Sequence, residues 1–192
     1  MQVTAIIAEW NPLHRGHLLP VQAARQQGAT HIVAILSGNF VQRGEPALCP
    51  WQYRAAAALS SGVDLVLLLP LPYAVSTAQH FAGGAVASLA ALGAVDSLIF
   101  GSECGELAAL RSVAAALDSP DLPAALAPHL QKGLPFAAAR QAAVHSLLGE
   151  DAGLLSSPNN ILGIEYLRAL RRLGSNIQPL TISRQGAPHD AA

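Results

Sequence analysis

Apolar residues gather in short unbroken runs, and each run is followed by a longer stretch with apolar positions at helical spacing. The runs are VTAIIAEW (3–10), HIVAILSG (31–38), DLVLLLP (64–70) and SLIFGS (97–102), with a fifth, QPLTISR (178–184), near the end. Continuous hydrophobicity without alternation marks strands covered on both faces, as in a parallel sheet. The intervening stretches carry helix punctuation. PWQYRAAAALSSG opens on Pro50 and closes on Gly62, and STAQHFAGGAVASLAALG closes on Gly93. Segments 105–118, 122–132 and 136–148 read as Ala/Leu helices parted by Pro and Gly, and NNILGIEYLRALRRLG ends at Gly174. This alternation predicts an α/β fold: a doubly wound, mainly parallel, five-stranded Rossmann-like sheet with helices on both faces.

Composition narrows the picture. A chain of 192 residues suits one domain and is long enough to bury a core without disulfides. Hydrophobic residues make up 52% and charged residues 12%, which suits a packed globule rather than a disordered chain. The formal net charge of −1 is not the footprint of a wide nucleic-acid-gripping face. Cys49 and Cys104 form no CxxC pair, so a reduced cytoplasmic protein is expected and a cysteine-built zinc site is not. The N-terminus lacks the pattern of a secretory signal, and prolines break the apolar run after Asp64 well short of a membrane span.

In doubly wound sheets ligands bind outside the carboxyl ends of the strands. The segments there are EWNPLHRGH, SGNFVQRGEP, PLPYAVSTAQHFA and GSECGE. In the first, His14 and His17 flank Gly16 where a strand gives way to a helix. Unpaired N–H groups and the helix dipole favour an anion at that point, and two imidazoles can donate to phosphate oxygens. Gly16 lets the backbone come close. Such a site suits charge growing on an α-phosphate during nucleotidyl transfer. Two ordinary surface histidines are the alternative. A metal held by the histidine pair would need a third ligand, with Glu9 and Asp64 the available acids. No Walker A lysine and no GxGxxG follow a strand.

The other loops add candidates. Ser37, Gly38 and Asn39 can bond a ligand, and Arg43 can meet a phosphate or carboxylate as a fork, or else form a solvated pair with Glu45 in a hairpin-like loop. Gly101 suggests backbone approach to a base or ribose, with an N-cap at Ser102 as the alternative. Asn159 or Asn160 reads as a helix N-cap. Arg168, Arg171 and Arg172 share a helical face, which reads as solvated rather than as an RNA patch.

Taken in order, AEWNPLHRGH, SGNFVQRGEPA, SGVDLVLLLP, YAVSTAQHFA, FGSE and PNNILGIEYL closely resemble the bacterial tRNA(Met) cytidine acetate ligase family. HxGH alone would indicate only the nucleotidyltransferase superfamily; GNFVQRGEPA and PNNILGIEYL make the likeness specific. The resemblance implies ATP-dependent activation of acetate to acetyl-adenylate, then acetyl transfer to N4 of the wobble cytidine of elongator tRNA(Met). It implies His14 and His17 as catalytic residues. It implies ATP contacts from Ile7, Ala8, Glu9, Trp10, Asn11, Pro12, Leu13, His14, Arg15, Gly16, His17, Leu18, Leu19 and Pro20. Gly101, Asn159 or Asn160, and Arg184 complete that implied set. A magnesium ion is expected with ATP, although no carboxylate cluster announces it.

Two departures from the family pattern stand out: WNPLHRGH replaces an aromatic-rich YNPFHNGH, and Leu68 stands where VIELP carries an acid. Family members continue beyond the point matching Ala192, into a region that helps bind tRNA. Residues 1–192 are therefore expected to form the ATP-binding catalytic domain without that region, with tRNA contacts weakened or lost. Two other functions fit the histidine motif: a nucleotidyltransferase adenylating another acceptor, and a non-catalytic ATP-binding module.

Overall fold

The computed structural model describes residues 1–183, without the side chains of residues 150 and 151. Its elements run β1 (Val3–Ala8), α1 (Arg15–Gln26), β2 (His31–Ser37), α2 (Trp51–Ser60), β3 (Leu65–Leu69), α3 (Leu71–Ala74) and α4 (Ala78–Leu92). They continue as β4 (Ser97–Ser102), α5 (Leu107–Leu117), α6 (Leu122–Gln131), α7 (Phe136–Leu148), a 3-10 stretch (Gly149–Ser156), α8 (Pro158–Arg172) and β5 (Gln178–Ser183). All four strand pairings are parallel, in the order β3-β2-β1-β4-β5. All five expected strands form within two residues of their predicted ends.

Two cores pack on the two faces. Ile6, Ala34, Leu36 and Ile99 meet α1 and α2 through Val21, Ala24, Ala55 and Ala58. Ala5, Ile35, Leu98 and Phe100 meet α4, α5, α7 and α8 through Phe81, Val86, Leu110, Val144 and Ile164. Alternate strand residues supply alternate cores, as the period of two requires.

One expectation about burial needs correction. β3 is not covered on both faces: like β5 it is an edge strand, and Leu65 and Leu68 are 42% and 41% exposed. Its apolar run carries no information about neighbours, so an edge strand looks the same as a central one. Leu68 pairs with Leu36. It therefore sits two strands from β1, or about 10 Å at ordinary strand spacing.

The ladders explain where a crevice opens. β1 pairs with β2 over its whole length, and β4 pairs with β5 over its whole length. Between β1 and β4 only Thr4–Ser97 and Ala5–Leu98 pair, near the amino ends. The two strands therefore part toward their carboxyl ends. This is also where the strand order reverses, the place at which such sheets bind ligands.

Candidate functional site

The chain leaves β1 through Glu9 and turns sharply at Trp10, which has φ of 45° and is 3% exposed. The Trp10 side chain is buried in the core beside α1 and α2, and Leu13 packs there too. A left-handed residue of this size is held only when its surroundings fix it, and here the buried indole does so. Asn11 Oδ1 accepts from Leu48 N at 2.7 Å, tying this loop to the one after β2.

His14 is the N-cap of α1, in an extended conformation. Its Nδ1 accepts from Gly16 N at 3.1 Å, and His17 Nδ1 accepts from His14 N at 3.3 Å. The pair forms a capping box with imidazoles in place of the usual hydroxyl and carboxylate. A ring nitrogen that accepts carries no proton, so in the neutral rings the proton sits on Nε2 of both. The rings stack, with centroids 3.6 Å apart and planes at 25°. The head of α1 thus places two oriented imidazoles at the positive end of its dipole, while Gly16 N is held by His14 Nδ1 and His17 N by His14 O. The role of Gly16 is sharper than close backbone approach: a Cβ there would lie 3.1 Å from His14 Cε1. Arg15 and Pro12 are exposed, and Leu18, Leu19 and Pro20 are half-buried in the first turns of α1.

Across the crevice, β4 ends at Gly101 and Ser102. Ser102 is no N-cap. Its hydroxyl accepts from Gly105 N at 3.0 Å and bonds Thr181 at 2.7 Å, while α5 starts later, behind Glu106. Neither asparagine is the N-cap of α8; Ser157 is. Asn159 and Asn160 occupy the first turn, where Glu103 gathers them. Glu103 accepts from Asn159 N at 3.1 Å, from Asn159 Nδ2 at 2.7 Å and from Asn160 N at 2.7 Å. Burial opposes ionisation of Glu103, but these bonds outweigh it and hold the carboxyl below its ordinary range. Asn160 is 2% exposed and accepts from Cys104 N at 3.1 Å, whereas Asn159 is half-buried.

The loop after β2 is hairpin-like, with an antiparallel bridge between Phe40 and Pro46. Ser37 is fully buried, and its hydroxyl has no partner among the described residues. Gly38 is half-buried; Asn39 is exposed, with Oδ1 3.4 Å from Trp51 N at the head of α2. Arg43 is exposed. Glu9 is half-buried and accepts from Gln42 N at 2.6 Å. Burial, and secondarily Glu9, push the Tyr166 hydroxyl above its ordinary value. Ile7 and Ala8 end β1, half-buried. Arg184 lies outside the described residues.

Of the two acids named for a metal, Asp64 lies away from the histidine pair. Asp64 precedes β3 at the opposite edge of the sheet and pairs with Arg25 at 2.7 Å. Among the described residues no three His, Cys, Asp or Glu side chains cluster to hold a metal ion. The arginine face is also not simply solvated. Arg168 is 7% exposed and bonds Glu165 and Asp118, and Asp118 further pairs with Arg171 and Arg172.

Two residues of this edge escape the sequence reading. Arg54, in the first turns of α2, is 1% exposed and donates to the carbonyls of Cys49, Glu9, Ser37 and Gly38. Its signal was an arginine inside an alanine-lined helix face. Glu103 was visible only as part of FGSE; no local pattern announces a contact 57 residues along the chain.

A parallel sheet of this order, with a capped helix at its parted strands, defines a doubly wound nucleotide-binding class of domain. The chain belongs to the HIGH nucleotidyl transferase family, whose model matches residues 1–192. It is 51% identical over 198 residues to a tRNA(Met) cytidine acetate ligase of Syntrophotalea carbinolica, covering 100% of this chain and 47% of that protein. A protein of the same name from Caldanaerobacter subterraneus is 47% identical, covering 97% of this chain and 48% of the relative. The fold matches Thermotoga maritima TmcAL bound with alpha-thio ATP at a TM-score of 0.91 and 40% identity, covering 97% of this chain and 47% of that one. The apo form of that protein matches at 0.95 and 40% identity, covering 100% and 48%. The chain thus spans about half the length of the curated relatives it matches.

Proposed function

We propose that this chain carries the ATP-binding and acetate-activating site of a tRNA(Met) cytidine acetate ligase. The observation that carries this reading is the paired His14–His17 cap, two Nε2–H donors at the head of α1 beside the β1–β4 crevice. An acetate oxygen attacks the α-phosphorus of ATP, the bond to the bridging oxygen breaks, and pyrophosphate leaves with its electron pair. The His14 and His17 rings, with the positive end of the α1 dipole behind them, stabilise the charge that grows on the phosphates. N4 of the wobble cytidine of elongator tRNA(Met) then attacks the acetyl carbonyl. AMP leaves and the amine proton passes to solvent. No covalent enzyme intermediate is needed, because the mixed anhydride is already activated.

The remaining contacts follow from placement. The parted ends of β1 and β4 leave backbone around Ile7, Ala8 and Gly101 for the base and ribose. Asn159 suits a ligand contact better than Asn160, whose side chain is buried against Cys104. Arg184, Ser37, Gly38, Asn39 and Arg43 complete the proposed surround. Magnesium would accompany the triphosphate, as it does where substrate phosphates supply most of its ligands. On this reading residues 1–192 act as the catalytic domain of a cytoplasmic enzyme. Among the described residues no helix is long and apolar enough to cross a membrane.

The test is acetate-dependent exchange of labelled pyrophosphate into ATP, followed by mass analysis of tRNA(Met) for N4-acetylcytidine. Exchange that requires acetate supports the reading. Adenylation of another acceptor without acetate would replace it with the broader transferase function. ATP binding with no turnover on any acceptor would leave a binding module.

A further inference from the structure

We propose that Arg54 is a positioning residue that fixes the histidine loop against the loop after β2, an inference that rests on the adenylating site proposed above. Its guanidinium reaches three separate segments at the ligand edge. Nη1 donates to Glu9 O at 2.5 Å, at the end of β1. Nη2 donates to Ser37 O at 3.1 Å and to Gly38 O, at the end of β2. Nε donates to Cys49 O at 3.2 Å, where the loop returns to α2.

A buried cation is costly where an apolar side chain would pack, so its bonds must compensate. Of the carbonyls it meets, Glu9 O and Gly38 O lie just past the ends of β1 and β2, Ser37 O is at the last residue of β2, and Cys49 O is at the head of α2. The bond to Ser37 O is buried and the other three are part-buried, so losing the guanidinium removes partners from groups with little access to water. Only a planar fork with several donors in fixed geometry can hold all of them together; a lysine ammonium can keep the charge but not that span.

Glu9 is the residue before the Trp10 turn, and that turn leads directly to His14. Holding Glu9 O therefore sets the point and direction in which the histidine loop departs from β1. Holding Ser37 O and Gly38 O sets the facing loop relative to it. A misplacement of about 1 Å at a reacting centre can cost about 10²-fold in rate.

Arg25 supplies an internal control. It performs a similar task at the opposite edge, donating to the carbonyls of Ala29, Thr30 and Gly62 and pairing with Asp64. That edge carries none of the proposed ligand loops.

The experiment compares Arg54→Lys, Arg54→Gln and Arg25→Lys with the wild type, by pyrophosphate exchange and by hydrogen exchange read peptide by peptide. Both Arg54 variants should lose kcat by about 10-fold to 10²-fold while KM for ATP moves far less. Amide exchange should speed up over residues 9–17 and 38–48 but not in β1 or β4. Arg25→Lys should speed exchange near residues 29–32 and 62–65 and leave kcat unchanged. Wild-type kcat in a folded Arg54→Lys or Arg54→Gln protein would overturn the assignment. So would exchange that rises uniformly through the sheet, the mark of a merely structural role. If the wild type itself exchanges no pyrophosphate, the adenylating reading fails. The local exchange pattern then decides the clamp on its own: faster amides confined to the two loops uphold it, and unchanged amides overturn it.

Discussion

Glu103 Oε2 accepts a 2.7 Å hydrogen bond from the backbone nitrogen of Asn160, so the protein's own carboxylate already fills the anion position at the head of α8. The partial positive charge of a helix N-terminus serves one anion well. On the proposed reading the phosphates would therefore meet the head of α1, where the histidines stand. Replacing Glu103 by Gln removes the charge and sets amide protons against backbone N–H groups. The cost should be about 1 kcal/mol, the scale of a lost helix cap. The folded carboxyl is held below its unfolded value, so its stabilisation is complete above the ordinary carboxyl range. It is lost as pH falls through the folded pKa. Denaturant melts of wild type and Glu103→Gln should therefore differ at pH 7, begin to converge as pH falls past the ordinary Glu value of about 4.3, and coincide only below the folded value.

The histidine cap separates stability from chemistry. Asn is as good an N-cap as any residue, whereas Ala is a poor one. His14→Asn should keep the melting temperature near wild type, and His14→Ala should lose about 1 kcal/mol. Both lose the Nε2–H donor, so both should lower acetate-dependent pyrophosphate exchange by about 10²-fold. Thermal melts beside exchange rates read the two effects separately. Wild-type rates in His14→Asn would remove the ring from the proposed chemistry.

The buried ion network divides into members that matter and members that do not. Glu165 is 2% exposed and bonds Arg168 Nη1 through both oxygens, at 2.8 and 2.9 Å, with Arg140 beside it at 3.2 Å. Arg168→Met leaves that carboxylate short of a partner and should cost about 3–5 kcal/mol. Arg172 also pairs with Asp118, but its side chain is 46% exposed. Arg172→Ala should cost no more than about 1 kcal/mol. Urea unfolding of the two variants tests the contrast, and equal losses would contradict this division.

The same network shows where sequence reading reaches its limit. Helical spacing correctly put Arg168, Arg171 and Arg172 on one side of α8. It could not show that Asp118, on the facing helix end, draws that side into the protein. Strand positions were legible because a buried parallel strand must be apolar throughout, and the loops were legible because such a sheet gathers its loops at one edge. The edge status of β3 was not, since Leu65–Leu69 reads the same whether or not a sixth strand covers it. His14 and His17 stood out as a pair, yet their capping geometry depends on ring orientations that no spacing encodes. Arg54 and Glu103 stayed hidden because each acts on backbone groups from distant segments.

Close packing at Gly163 offers a sharper check on the core. A Cβ there would lie 2.6 Å from Phe100 Cε2, and Leu110 Cδ1 stands 3.5 Å away on the other element packed here. Phe100 is 4% exposed and meets Tyr166 edge to face, with ring centroids 5.5 Å apart. The ring cannot swing to solvent, so α8 must lift from β4 or the ring must leave its preferred rotamer. Gly163→Ala should therefore cost about 1–3 kcal/mol despite the better helix propensity of Ala. In a Phe100→Leu background the offending ring edge is gone, and the propensity term of about 0.5–1 kcal/mol in favour of Ala should emerge. A double-mutant cycle by guanidinium unfolding reads the coupling between the two sites directly. Additive effects would mean that α8 already stands far enough from β4 to accept a side chain, and that Gly163 is not what sets their approach.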